Sequence, residues 1–461
     1  MSQKKQDAIY DVKELGTGKT LVLGLQHMFA MFGATVLVPL LTGLDVSTTL
    51  LFAGIGTLMF HFLTKNKVPA FLGSSFAFLG GYAAIAPVLA DGSSNVEMIP
   101  YACFGVACAG LLYLVMAALI KVFSAEKIMK FFPPIVTGPI IIAIGLTLSK
   151  SAIDSCSSNW MIAIAAIAVV IICNIYGKGM IKIIPILIGV IVSYVVGIAM
   201  GAVDFTAVKE AAWIGLPIHK EMTVLALFGD NFDPALLVTA VITIMPIAFA
   251  TIVEHIGDIS AIASTTGVNY IENPGLHRTL LGDGVATILA SLFGAPANTT
   301  YGENTGVLNL SKVYDPFVVR LAAVFAIFFS FCPKFAAIVQ AMPTATVGGI
   351  SLILYGMISA VGVRNIVETQ VDFTKTKNVI IAALILVLSI GVNYSAAGAI
   401  AFQIGSVTIS LSGLAVGALT GIILNAILPG KDYEFTEDEP KDTGVNFAAG
   451  QNSKRLEKDA E

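Results

Sequence analysis

Acidic side chains inside apolar stretches are the first residues of this chain whose type and spacing could do chemistry. Val253-Glu254-His255-Ile256-Gly257-Asp258 lies in a hydrophobic run. A charge at the centre of a bilayer costs ~2.5–3.5 kcal/mol even on the gentler insertion scale, so acids there are site candidates by default. Glu254 and Asp258 stand four apart, on one face of a helix. Paired carboxylates in a low dielectric can pass a proton between them, which suits a relay. A pair of structural acids bonded to freed backbone would have the same spacing. Glu303, in Tyr301-Gly302-Glu303-Asn304-Thr305-Gly306, is a third such acid. Its interrupted, glycine-containing surroundings make it the best candidate for gripping a polar substrate. His27, beside Gln26 in an otherwise apolar segment, reads as a proton-coupling residue or, equally, as a structural hydrogen bonder. Asp283 reads as an interface or helix-end residue, and His61, His219 and His277 receive no role. Phe76 and Tyr301 each follow a pair of small hydroxyl residues, Ser74-Ser75 and Thr299-Thr300. An aromatic so placed could stack on a flat heterocycle while neighbouring polar groups read its edge.

Most of the chain is apolar scaffolding for these residues. Of 461 residues 56% are hydrophobic and 12% charged, with a mean hydropathy of +0.86, against roughly 25% charged in a soluble domain. Apolar runs follow one another near 20–40, 48–64, 71–89, 101–120, 134–149, 158–176, 183–201, 235–260, 278–295, 299–313, 317–333, 343–361, 378–396 and 408–428. Runs near 20 residues cross the ~30 Å hydrocarbon core as helices. The reading is an all-α polytopic membrane protein with fourteen segments and the lipid bilayer as its surroundings. With both termini cytoplasmic, this topology puts 22 of the 26 lysines and arginines inside, leaving Lys150, Lys209, Lys220 and Lys334 outside. That asymmetry is what the positive-inside rule requires. The first 19 residues are polar and show no signal peptide. The loop at 202–234, with Trp213, reads as an interfacial connection, and the tail at 430–461 as disordered.

Fourteen spans divide into two sevens, and an odd number inverts the second half. Pro133-Pro134-Ile135-Val136-Thr137-Gly138 matches Pro343-Thr344-Ala345-Thr346-Val347-Gly348 at corresponding spans, and Ser74-Ser75-Phe76 matches Thr299-Thr300-Tyr301. Inverted repeats with interrupted segments at equivalent positions point to a secondary transporter whose site lies between them. Spans three and ten qualify.

Four separated motifs carry a resemblance. Gln26-His27-Met28-Phe29-Ala30-Met31-Phe32-Gly33-Ala34-Thr35, Gly73-Ser74-Ser75-Phe76-Ala77-Phe78, Glu254-His255-Ile256-Gly257 and Asn298-Thr299-Thr300-Tyr301-Gly302-Glu303-Asn304 resemble the nucleobase–ascorbate transporter family, over nearly the whole membrane portion. The resemblance implies proton-coupled uptake of a nucleobase, uracil above all, with the proton as coupling ion and no other cofactor. It implies a core domain (20–120 and 235–333), a gate domain (121–201 and 334–429) and short antiparallel strands in segments three and ten. It further implies a homodimer in a bacterial cytoplasmic membrane. Family roles fall on Glu254 and Glu303 at the pyrimidine edge, Phe76 and Tyr301 flanking it, and Gly302 adding a backbone contact. Asp258 stands where familiar uracil permeases carry His. The xanthine branch resembles the chain there, so a xanthine or purine symporter is the alternative substrate reading.

Other classes find no support. A net charge of −4 offers no basic stripe for nucleic acid. The five cysteines lack metal-ligand spacing, and no nucleophile–base pair marks an enzyme. Anion carriers of related architecture would bring a cationic site, whereas the site here is acidic.

Overall fold

The computed structural model describes residues 8–89, 92–178, 180–228, 232–404 and 407–430, with a few side chains inside helices and strands, that of Glu303 among them, outside the described set. The segment expected to form the tail thus lies almost wholly outside the described residues.

In chain order the main elements are α1 (Thr17–Thr42), α2 (Val46–Leu63), β1 (Leu72–Ser74), α3 (Leu79–Ile85), α4 (Ile99–Phe123), α5 (Pro134–Ser157), α6 (Trp160–Tyr176) and α7 (Pro185–Ala199). They continue with α8 (Pro234–Ile244), α9 (Ala248–Thr266), α10 (Leu276–Leu292), β2 (Asn298–Thr300), α11 (Gly302–Ser311), α12 (Pro316–Ser330) and α13 (Pro333–Gln340). Last come α14 (Thr344–Glu368), α15 (Thr376–Asn393), β3 (Ala399–Ile404), β4 (Val407–Ser412) and α16 (Gly413–Ile427). Local chemistry sets many boundaries. Asp45 and Asp233 accept N–H groups at the starts of α2 and α8, and proline sits in the first turn of α5, α7, α8, α12 and α13. Both devices satisfy or remove donors that a first turn leaves unpaired.

Seven helical stretches among the described residues are long and apolar enough to cross a membrane, and the bent pair α12–α13 makes an eighth. The chain is therefore a multi-pass membrane protein. The remaining apolar segments are short or broken. Segment three is a strand, a tight turn over Phe76–Phe78 and the seven-residue α3. The segment expected at 235–260 runs to Thr266 but passes through a 3-10 turn at Met245–Ile247, where Pro246 removes a backbone donor. The one expected at 317–333 stops at Ser330, and α13 leaves it at 88°.

Two sequence expectations need correction. The helix expected over 408–428 starts only at Gly413, because Val407-Thr408-Ile409-Ser410-Leu411-Ser412 alternates with a period of two and pairs with β3 as a hairpin. The tail at 1–19 is not simply polar and apart. Ile9 bridges Val313, Tyr10 Oη donates to the Thr266 carbonyl (2.7 Å), Val12 N–H donates to Asp315 Oδ2 (2.9 Å), and α1 begins at Thr17. The 202–234 loop is tied to the α12–α13 bend: Gly215 N–H donates to the Phe331 carbonyl, and the Lys334 ammonium sits 5.0 Å from the centre of the exposed Trp213 ring.

Helices pack in two sets. In one, α2, α4 and α10 meet, and α1 and α2 pack on α12; in the other, α5 packs along α14, α6 on α7, and α15 on α16. Glycine permits the closest approaches. A Cβ on Gly284 of α10 would lie 3.0 Å from the Gly110 carbonyl of α4, and one on Gly362 of α14 would lie 2.6 Å from the Gly138 carbonyl of α5. Small residues of this kind let membrane helices gain dispersion contact without a hydrophobic driving force.

Candidate functional site

β1 and β2 meet antiparallel, with Gly73 opposite Thr299. Two further bonds lengthen the ladder, from Ser75 N–H to the Ala297 carbonyl (2.9 Å) and from Tyr301 N–H to the Phe71 carbonyl (3.0 Å). Strand backbone deep in a membrane must find every remaining partner within the protein. It does so on side chains: Leu72 N–H donates to Thr57 Oγ1 (2.9 Å), and Thr287 Oγ1 donates to the Asn298 carbonyl (2.7 Å). Asn298 Nδ2 in turn donates to the Phe52 carbonyl on α2 (2.7 Å). Gly73 is required here, since a Cβ would stand 2.5 Å from the Tyr301 ring. That ring is held from its other end, where Tyr301 Oη donates to the Ser74 carbonyl (2.8 Å).

A cavity of about 710 Å³ opens beside this strand pair, within the range of ligand pockets. Ser75, Phe76, Tyr301 and Gly302 line it at the strand ends, and Glu254 and Asp258 line it from α9. The facing wall carries Ile353, Leu354 and Met357 from α14, and Asn174, Lys182 and Asn365 add polar groups to the lining. The carboxylates and strand-end groups thus converge on one side of a chamber whose other walls are mainly apolar. Gly302 opens α11, so the first-turn N–H groups of that helix, which lack partners within it, start at the cavity wall. Phe76 is nearly buried and meets Tyr355 of α14 edge-on, with ring centres 5.8 Å apart.

The residues singled out from sequence divide accordingly. Phe76, Glu254, Asp258, Tyr301 and Gly302 share the cavity. The backbone of Glu303 lies in the first turn of α11, and its side chain is outside the described set. His27 is fully buried in α1 and is absent from the cavity wall; Asn304 Nδ2 lies 3.1 Å from both its Nδ1 and its carbonyl oxygen.

Asp283 is misread from sequence. It lies inside α10, fully buried, with Oδ2 3.1 Å from His255 Nδ1. The signal was its frame, Gly282-Asp283-Gly284. A Cβ on Gly282 would meet Phe60 at 2.7 Å and one on Gly284 would meet Tyr113 at 2.6 Å, so neighbouring helices close over the acid from both sides. Thr300 is a second omission. Its hydroxyl donates to Asp258 Oδ2 (3.0 Å) and faces His255 Nδ1 at 3.4 Å.

A family model described as a permease family matches residues 18–398. The chain belongs to that family. It is the nucleobase–ascorbate transporter family, as the four motifs imply. Among similar proteins, the uracil permease of Bacillus caldolyticus is 40% identical over 437 residues, covering 92% of this chain and 95% of its own. The uracil permease of Bacillus subtilis is 38% identical, covering 93% and 97%. That of Escherichia coli K12 is 37% identical, covering 89% and 91%. These relatives are permeases, and this chain is likewise a transporter rather than an enzyme. Solved structures agree at the level of fold. The transmembrane domain of the cyanobacterial bicarbonate transporter BicA aligns with a TM-score of 0.58 at 13% identity, over 91% of this chain and 99% of that one. SLC26A9 aligns with a TM-score of 0.61 at 12% identity, over 91% and 66%. Identities that low speak for a shared scaffold alone.

Proposed function

We propose that the transporter imports uracil across the bacterial cytoplasmic membrane by proton symport. The observation that carries this reading is the cavity in which Phe76, Tyr301 and Gly302 from the strand ends meet Glu254 and Asp258 from α9. An aromatic pair suits a planar ring, and carboxylates suit the N–H edge of a neutral pyrimidine. The uracil permeases among its relatives, at 37–40% identity over nearly their full length, support the substrate. Glu254 and Glu303 would hold the pyrimidine edge, with Gly302 contributing backbone; Glu254, Asp258 and His27 are the candidates for proton coupling.

The packing into two helix sets supports alternating access as the mechanism. One helix set, with α1–α4 and α8–α12, is the core, and the other, with α5–α7 and α14–α16, is the gate that slides against it. The antiparallel meeting of β1 with β2 supports fourteen segments arranged as two inverted sevens. Both termini would be cytoplasmic, by the distribution of lysine and arginine, and the assembly a homodimer.

Proteoliposomes carrying the purified chain test the reading. Labelled uracil should accumulate against its gradient when the exterior is acidic, and unlabelled uracil should compete better than thymine or xanthine. Stronger competition by xanthine would shift the substrate to the purine alternative that Asp258 raises. Uptake that equilibrates but never concentrates would make the protein a channel.

A further inference from the structure

Asp258 is the acid that departs from the pattern of familiar uracil permeases, and a run of polar side chains leads from it to enclosed residues. The Thr300 hydroxyl has one proton, and it is committed to Asp258 Oδ2 at 3.0 Å. Its oxygen therefore presents only lone pairs to His255 Nδ1, 3.4 Å away. The same nitrogen faces Asp283 Oδ2 at 3.1 Å. Thr300 Oγ1 and Asp283 Oδ2 thus both approach this one ring nitrogen. His255 and Asp283 are both fully enclosed, whereas Asp258 and Thr300 line the cavity. A run of polar side chains thus leads from the cavity wall, through one hydroxyl, to the enclosed His255 and Asp283.

We propose that Thr300 is a positioning residue: its hydroxyl fixes the Asp258 carboxylate on the cavity wall and ties it to the enclosed His255–Asp283 pair. The inference rests on the reading of this cavity as the nucleobase site. The physical reason for such a device is placement. Asp258 sits on α9 and Thr300 on β2, so the bond pins the helix acid to the strand whose end carries Tyr301 and Gly302. A carboxylate held from one side keeps its direction while substrate enters and leaves; an untethered one must be ordered at each binding event. Behind Thr300, His255 Nδ1 stands 3.4 Å from the hydroxyl and 3.1 Å from Asp283 Oδ2, so the hydroxyl is bounded on both sides by polar groups.

A double-variant cycle on the full-length purified chain tests this, reading labelled-uracil affinity in detergent and uptake KM and Vmax in proteoliposomes. Thr300→Val keeps the β-branched shape of the strand residue and deletes the hydroxyl; Thr300→Ala repeats the deletion should valine impair folding. Uracil affinity should fall about tenfold in either, as for loss of a hydrogen bond to a charged group. Thr300→Ser should stay within about twofold of the parent, a recovery that a packing role would not give. In the Asp258→Asn background, adding Thr300→Val should bring little further loss, since the second residue acts through the first. Val and Ala variants that bind as the parent does, or losses that multiply in the double variant, overturn the proposal and leave the functional reading standing. A parent chain that binds no nucleobase overturns the functional reading instead.

Discussion

Two aspartates within apolar segments occupy opposite situations. Asp258 is aimed at the cavity, and Asp283 is sealed between α2, α4 and α10 against His255. Spacing on a helix finds the first, because Glu254 and Asp258 share a face whatever surrounds them. It misses the second, because enclosure of Asp283 depends on glycines that let α2 and α4 approach from elsewhere in the chain. Two predictions belong at this scale. Glu303→Ala should abolish measurable uracil binding while leaving expression intact; unchanged affinity in an equilibrium-binding assay would remove Glu303 from the site. Gly73→Ala drives a methyl group to 2.5 Å from the Tyr301 ring. Overpacking of that kind costs about 1–3 kcal/mol. Since strand and ring are both held by hydrogen bonds, the strain should appear as uracil uptake lowered roughly tenfold or more, with the protein still recovered from the membrane.

Elements differ in how far sequence reveals them. The α5 and α14 segments announce themselves by Pro-Pro-Ile-Val-Thr-Gly and Pro-Thr-Ala-Thr-Val-Gly, and both helices begin there. β1 and β2 do not announce themselves by periodicity: three residues each carry no readable alternation, and each is a strand only because the other lies beside it. Of the β3–β4 hairpin, only β4 alternates apolar with polar residues, and its apolar background gives a helix the same hydropathy. At its own terminus, α12 shows a device that can be tested. Asp315 accepts Phe317 N–H with Oδ1 (2.8 Å), capping the helix, and Val12 N–H with Oδ2 (2.9 Å), anchoring the N-terminal segment. Asp315→Ala should lower the thermal midpoint in detergent, as for loss of a cap worth about 0.5–2 kcal/mol, and expose the N-terminal segment to protease; Asp315→Asn should retain most of both. Along α14, Gly362→Leu should fail more completely. Its side chain would enter the Gly138 carbonyl and Ile142 of α5, so size-exclusion chromatography should find aggregated protein in place of a folded peak.

For the whole molecule, the proposed transport cycle has one helix set moving against the other. Asp258, Glu254, Phe76 and Tyr301 line the cavity together with Leu354 and Met357 of α14. If protons drive the cycle, dissipating the proton gradient with an ionophore should stop uracil concentration in proteoliposomes, while exchange of labelled for unlabelled uracil across equilibrated membranes persists. Accumulation that continues without the gradient would uncouple the transporter from protons.

Sequence alone determined that the chain enters a membrane, where most of its helices lie, and which few acids sit among apolar neighbours. Those properties are local: hydropathy adds along the chain, and capping residues act within a turn. Tertiary structure decided which acids meet the cavity and which are sealed away. It decided that Leu72–Ser74 and Asn298–Thr300 are strands, and that a hydroxyl 42 residues from Asp258 holds that carboxylate. The physical reason is that enclosure and hydrogen bonding belong to pairs of segments, and such pairs exist only after the chain has brought distant helices together.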